Sequence, residues 1–269
     1  MPFPRMAAMP LRRRAFAAAP LALLAGCATR FYQDDAPDAT PRLQVQNPGL
    51  QPPEGALAIS STALAPGDIL LSSTEGVTSM GIRLMTLSPV SHASLYVGSD
   101  QVAEAVGEGI RQVPMPRFLA GEGTVVAFRH PGVRAEHVEK MRAFVAETVG
   151  QKYNYVGVLL QAPFSIERRM CEVPLTPSLV RDICLQGVGA AQLGLGRSDR
   201  FFCSQFVLEA YRRAGLPLTQ ADPRLLSPAD LLHMREGDVP SVRSEQVLHY
   251  VGHLKIAPAA APVEHGAAA

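Results

Sequence analysis

Ser91-His92-Ala93-Ser94-Leu95-Tyr96-Val97-Gly98-Ser99-Asp100-Gln101-Val102-Ala103-Glu104-Ala105 decides the fold. Its first half alternates, with Ala93, Leu95 and Val97 on one side and His92, Ser94 and Tyr96 on the other. A period of two over so short a run is the signature of a strand, with the histidine on the less apolar face. Gly98-Ser99-Asp100 is a turn signal, and Gln101 to Ala105 reads as the returning strand. The two runs therefore predict an antiparallel hairpin. Such pairing can set Glu104, twelve residues after His92, beside the imidazole.

The flanking segments extend this sheet and add helices. Pro66-Gly67-Asp68 is a turn that opens a strand at Ile69-Leu70-Leu71, and Val77 to Leu87 has helical spacing. After Gly107-Glu108-Gly109, Ile110 to Val113 continues the strands, and Thr124 to Arg129 is rich in β-formers. Arg134 to Val149 is an amphipathic helix with Val138, Met141, Val145 and Val149 on one face and Gly150 as its stop. Cys203 to Ala214 is a second helix, ended by Gly215 and Pro217, and Ser227-Pro228-Ala229-Asp230 starts a short third one with Ser227 as N-cap. Consecutive strands between helices imply an α+β fold, an antiparallel sheet packed with helices. Residues 160–200, mixed in apolar residues and prolines, fit this plan least and read as an insertion. Its apolar residues imply either a wall over the active-site cleft or a helical decoration packed on the body.

The chain has 269 residues, 47% hydrophobic and 18% charged, which is globular composition. Its first 26 residues carry Arg5, Arg12, Arg13 and Arg14 and no acid, so their removal takes the formal charge from +1 to −3. A mildly acidic mature chain gives no electrostatic ground for a nucleic-acid partner. Arg12-Arg13-Arg14 followed by the apolar Ala15 to Ala25 is the charged-then-apolar pattern of a secretory signal. Arg13-Arg14-Ala15-Phe16 also has the look of a twin-arginine signal, and ordinary secretion fits equally well.

Leu24-Ala25-Gly26-Cys27 closes that run and resembles a bacterial lipobox, which implies a signal peptide over 1–26 and acylation of Cys27. Ala28 after the cysteine implies sorting to the outer membrane, facing the periplasm. Residues 27–63, with Pro37, Pro41, Pro48, Pro52 and Pro53, read as lipid anchor and extended linker. The folded domain is expected over 64–256, and 257–269 as a disordered tail.

Four cysteines are too few for a disulfide scaffold. Cys203 stands at a helix start, where unpaired N–H groups and the macrodipole favour a thiolate and can hold an oxyanion. Alone, it reads as a small buried hydrophobe. Joined to His92 as a base on a strand and Glu104 as an orienter on the next strand, it becomes the nucleophile of a triad. Glu108 is a rival for the orienting role. Ser204, Tyr96 and Tyr153 are candidates for the oxyanion site or pocket. Cys171 and Cys184, thirteen positions apart, are either a disulfide in an oxidising compartment or two buried thiols. No Gly-x-Ser-x-Gly elbow, His-Glu-x-x-His or paired Cys-x-x-Cys set occurs, so neither a metal nor an organic cofactor is expected.

Gly67-Asp68-Ile69-Leu70-Leu71, the Ser91–Gly98 strand, Val102-Ala103-Glu104-Ala105 and Phe202-Cys203-Ser204-Gln205-Phe206-Val207 resemble the NlpC-like papain-fold superfamily. The order His, Glu, Cys matches its circularly permuted, YiiX/YebB-like branch, which also includes lecithin–retinol acyltransferase. Gly150-Gln151-Lys152-Tyr153 and Ser227-Pro228-Ala229-Asp230 resemble further family elements. The resemblance implies a thiol-dependent amidase or peptidase with Cys203 as nucleophile, His92 as general base and Glu104 as orienter. The expected substrate is an amide bond in cell-wall-type peptides. A lipid acyltransferase or N-acyl amide hydrolase with the same triad, and a non-catalytic envelope binding protein, are the alternatives.

Overall fold

The computed structural model describes residues 28–32, 40–52, 54–74, 77–86, 88–152 and 202–256, with 171, 176, 177, 179–181, 183–185 and 187. The signal segment, Cys27, Tyr153, most of the insertion and the tail lie outside the described residues. Among those described, no helix is long and apolar enough to cross a membrane.

Six strands form one antiparallel sheet. They are β3 (Ile69–Ser73), β4 (His92–Gly98), β5 (Gln101–Val106), β6 (Gly109–Pro114), β7 (Thr124–Arg129) and β8 (His249–Lys255), in the spatial order β6-β5-β4-β3-β7-β8. The hairpin quoted above is β4–β5. Its turn residues Ser99 and Asp100 both take positive φ, 51° and 57°. That handedness matches the twist of paired strands and fixes a two-residue connection. Register follows from the turn, with Leu95 opposite Ala103 and Ser94 opposite Glu104.

Helix α1 spans Val77–Thr86, α2 Met115–Gly121, α3 Ala135–Thr148, α4 Cys203–Ala214 and α5 Pro228–His233. One face of the sheet, through Ile69, Leu71, Ala93, Leu95, Ala103 and Phe128, packs on Met141, Phe144 and Val145 of α3 and Phe206, Val207 and Tyr211 of α4. Phe144 and Phe206 stack with centroids 5.4 Å apart, so the two helices lock to each other as well as to the sheet. Truncating a ring such as that of Phe206 to alanine costs on the order of 3–5 kcal/mol.

The opposite face is also covered. Leu70, Tyr96, Val102, Val113 and Val125 bury against Met115 and Phe118. Helix α2, absent from the sequence reading, supplies that cover, with Pro114 as its N-cap and Pro116 in its first turn. The histidine's face is thus apolar over most of its length and polar only at one end.

Long-range ties fix α4 against the sheet. The buried Tyr211 hydroxyl donates to the Gly67 carbonyl at the mouth of β3, where Gly67 has φ +97°. Asp68 accepts from both Arg129 Nε and Nη2, at 2.7 Å each, and so joins β3 to the end of β7. At α5 the expected cap is present: the Ser227 hydroxyl and backbone N–H both donate to the Asp230 carboxylate, at 2.8 Å.

The segment ahead of the domain departs from an extended linker. Thr29–Tyr32 (β1) and Arg42–Val45 (β2) pair as a two-stranded sheet. It docks on the body, where Gln46 Nε2 donates to Ser241 Oγ at 2.8 Å and the Asn47 N–H to Asp238 at 2.8 Å. Prolines 41 and 48 flank β2 rather than interrupt it. Within the insertion, Cys171 and Cys184 form a disulfide with Cα atoms 5.6 Å apart. Cys171 and Leu185 join the main core. The described part of the insertion therefore packs as a decoration on the body.

Candidate active site

The site is assembled where β4 begins. His92 is its first residue, and its Nε2 lies 2.8 Å from Glu104 Oε2 on β5. Cys203 lies near enough to the same imidazole to act on its charge. Because Nε2 is committed to the carboxylate, Nδ1 is the nitrogen left to meet the thiol. Burial disfavours charge on His92, but the hydrogen bonds and charges of Cys203 and Glu104 outweigh it and hold the imidazole well above the ordinary histidine range. Glu104 is likewise buried, yet His92 and Arg111 hold its carboxyl below the usual range.

Cys203 is buried and is the one free cysteine among the described residues. It is the first residue of α4, and the N-cap, Phe202, offers no side-chain acceptor to the first turn. The opening N–H groups of the helix therefore keep their donors beside the thiol. Ser204 spends its hydroxyl elsewhere, donating to the Leu226 carbonyl at 2.6 Å, so its side chain anchors the helix start. Tyr96 is also not brought to the site. It lies four residues along β4, about 13 Å at the usual strand rise, and its hydroxyl accepts from the Asp100 N–H in the turn.

Glu108 is exposed and does not reach His92; it binds Arg111 Nη1 at 2.8 Å. Arg111 in turn donates from Nε to Glu104 Oε1 at 2.8 Å. The sequence reading missed Arg111, although a tight turn at Gly107-Glu108 pairs residues symmetrically about itself and so sets Arg111 opposite Glu104.

A second carboxylate was also missed. Glu122, at the C-cap of α2, sits close enough to His92, Glu104, Ser72 and Lys255 to feel each of them. Burial and the neighbouring Glu104 push its carboxyl up, and His92, Ser72 and Lys255 offset this only in part. Its sequence position in a loop between α2 and β7 gave no sign of this, since only the docking of α2 across the sheet carries it there. Four buried polar atoms at this end of the fold, Ser72 Oγ, Ser94 Oγ, Glu122 Oε2 and Gln205 Oε1, have no hydrogen-bond partner among the described residues. Ser72 lies opposite His92 and Ser94 opposite Glu104 in the sheet register. Orphaned groups of this kind are expected where a substrate or ordered water is received.

A cysteine at an uncapped helix start, beside a histidine that is bonded to a buried carboxylate on a neighbouring strand, is an arrangement of the kind used by papain-like cysteine amidases in permuted order. The profile of a family described as permuted papain-like amidase enzyme, YaeF/YiiX, C92 family, matches residues 63–158. The chain is 40% identical over 200 residues to the probable lipoprotein peptidase YaeF of Escherichia coli strain K12, covering 73% of each chain. It also resembles the crystal structure of metalloprotein yiiX from Escherichia coli O157:H7, at 18% identity and TM-score 0.38, over 68% of this chain and 88% of that one. The chain belongs to the permuted papain-like YaeF/YiiX family of cysteine amidases and peptidases.

Proposed function

We propose that this protein is an exported, lipid-anchored cysteine amidase whose nucleophile is Cys203, whose general base is His92 and whose orienting carboxylate is Glu104. The observation that carries the assignment is the hydrogen-bonded chain Arg111–Glu104–His92 with Cys203, at a helix N-terminus, beside the imidazole. His92 takes the thiol proton, and the sulfur attacks the carbonyl carbon of an amide. The first N–H groups of α4 receive the negative oxygen. The imidazolium then protonates the departing amine, and water, deprotonated by His92, releases the acid from the thioester. Arg111 keeps Glu104 charged, and Glu104 keeps the imidazole oriented.

The substrate we assign is an amide bond in cell-wall-type peptides. Anchoring rests on Leu24-Ala25-Gly26-Cys27 and on the lipoprotein named in the 40%-identical relative, and the location on the outer membrane facing the periplasm rests on Ala28. The test is incubation of purified protein with muropeptides, phospholipids and N-acyl amides, with Cys203→Ala as the blank. Cys203-dependent cleavage of muropeptides is the expected result. Release of fatty acid with untouched muropeptides would replace the substrate class by the lipid one, and no Cys203-dependent turnover of any substrate would make the protein a binder.

A further inference from the structure

The acylated residue assigned above, Cys27, is followed at once by a residue built into the fold. Ala28 is 1% exposed, its N–H donates to Gln46 Oε1 at 3.2 Å, and its carbonyl accepts from the Gln46 N–H at 3.0 Å. Gln46 is itself held by Ser241, and the Thr29 carbonyl accepts from the buried Arg181. Consecutive Cα atoms are about 3.8 Å apart. The lipid-bearing cysteine therefore has a single peptide unit, and no spacer, between it and the body.

Beside that point, along with the exposed Arg30 and Arg42, stand exposed apolar side chains. Alternation in the β1–β2 pair turns Ala28, Gln44 and Gln46 toward the body and Phe31, Leu43 and Val45 away from it, with Phe31 directly opposite Leu43. Arg181, which reaches Thr29, comes from a helical turn whose opposite side carries Leu179, Val180 and Ile183. These six side chains are between 38% and 69% exposed. They make up half of the twelve large apolar side chains that stand strongly exposed among the described residues. A concentration of that kind marks an interaction surface.

We propose that this patch is a bilayer-contacting surface, on which the folded body rests against the membrane through Phe31, Leu43 and Val45 of the β1–β2 pair and the Leu179–Ile183 turn. The proposal rests on acylation of Cys27. The short tether selects the occupant: it keeps the patch within a residue's reach of the lipid headgroups at all times, so even weak apolar insertion is satisfied intramolecularly. Another protein would have to compete with a membrane that is permanently beside the patch. The enzyme would then work at a fixed orientation and height above the bilayer instead of swinging on a linker.

The chain contains no tryptophan, so a single introduced one reports its own surroundings. The full lipidated protein is reconstituted in phospholipid vesicles carrying bromine-substituted acyl chains, as Phe31→Trp and, for comparison, as Glu108→Trp. Glu108 lies in the β5–β6 turn at the sheet edge remote from β8 and is exposed. Flotation with the vesicles and the mass of Cys27 are recorded on the same samples. The expected result is a blue-shifted Phe31→Trp emission quenched severalfold more than Glu108→Trp, with Leu43→Ser and Val45→Ser in the same chain abolishing the difference. Acylated, floating protein with equal quenching at both positions overturns the resting surface and leaves the anchor intact. Concentration-dependent cross-linking through the patch without quenching assigns it to a second copy and overturns it too. An unmodified Cys27 in protein that does not float ends both readings.

Discussion

Replacing Glu104 with glutamine tests the chain of hydrogen bonds at its middle. Glu104 is buried, with one oxygen 2.8 Å from His92 Nε2 and the other 2.8 Å from Arg111 Nε. Both neighbours present an N–H, so the site demands two acceptors. Glutamine keeps the shape but offers one acceptor and one donor, so one contact becomes donor against donor, and the negative charge is gone. A hydrogen bond to a charged group contributes about 1.5–3 kcal/mol, which is about a 10- to 150-fold change in rate.

The sign follows from the charge. Cys203 and the carboxylate together hold His92 above its ordinary range, so Glu104→Gln lets the imidazolium lose its proton at lower pH. The assay is kcat/KM against pH on the substrate identified with Cys203→Ala as blank, together with the rate of Cys203 alkylation by iodoacetamide. The alkaline limb, which reports loss of the imidazolium proton, is expected to move to lower pH, with the plateau lowered by about 10- to 150-fold. An unmoved limb with kcat/KM within about twofold of the parent, a difference well under the 1.4 kcal/mol that a tenfold change represents, would show that Glu104 does not orient or charge the base.

Two further outcomes are expected. Replacing Cys171 and Cys184 together by serine removes a disulfide across thirteen positions; a loop of that size is credited with about 3 kcal/mol, on the order of 10 °C in Tm. Calorimetry checks this, and a Tm within a degree of the parent would mean that the insertion is not part of the cooperative unit. Glu122 keeps its proton to higher pH folded than unfolded, so its contribution to stability falls as pH rises from about 4.3 through its raised folded value. Glu122→Gln should therefore raise the urea midpoint at pH 8 and leave it unchanged at pH 3.5, and a lower midpoint at pH 8 would refute a strained buried carboxylate.

Local sequence determined the elements of this fold where a short-range physical rule applied. Alternation and a turn with two positive-φ residues set β4 and β5, and the same turn counting brought Glu104 to His92. Gly150 and Gly215 ended their helices in the left-handed region, and Phe202-Cys203 opened α4 without a side-chain cap. These features depend on neighbours a few positions away, so they are legible in a single chain.

What lay outside that range needed the tertiary structure. The choice of Glu104 over Glu108 depended on which face each carboxylate occupies around the β5–β6 turn, and Arg111 bridges the two. Glu122 entered the site only because α2 folds across the polar end of the sheet. The pairing of Cys171 with Cys184 depended on a Cα separation that no spacing rule gives. Residues 28–32 and 40–47, short of local pattern, are held by bonds to Arg181, Gly237, Asp238 and Ser241, more than a hundred positions away. Sequence fixes preferences over a few residues, whereas the encounter of distant segments is settled by the sum of packing over the whole chain.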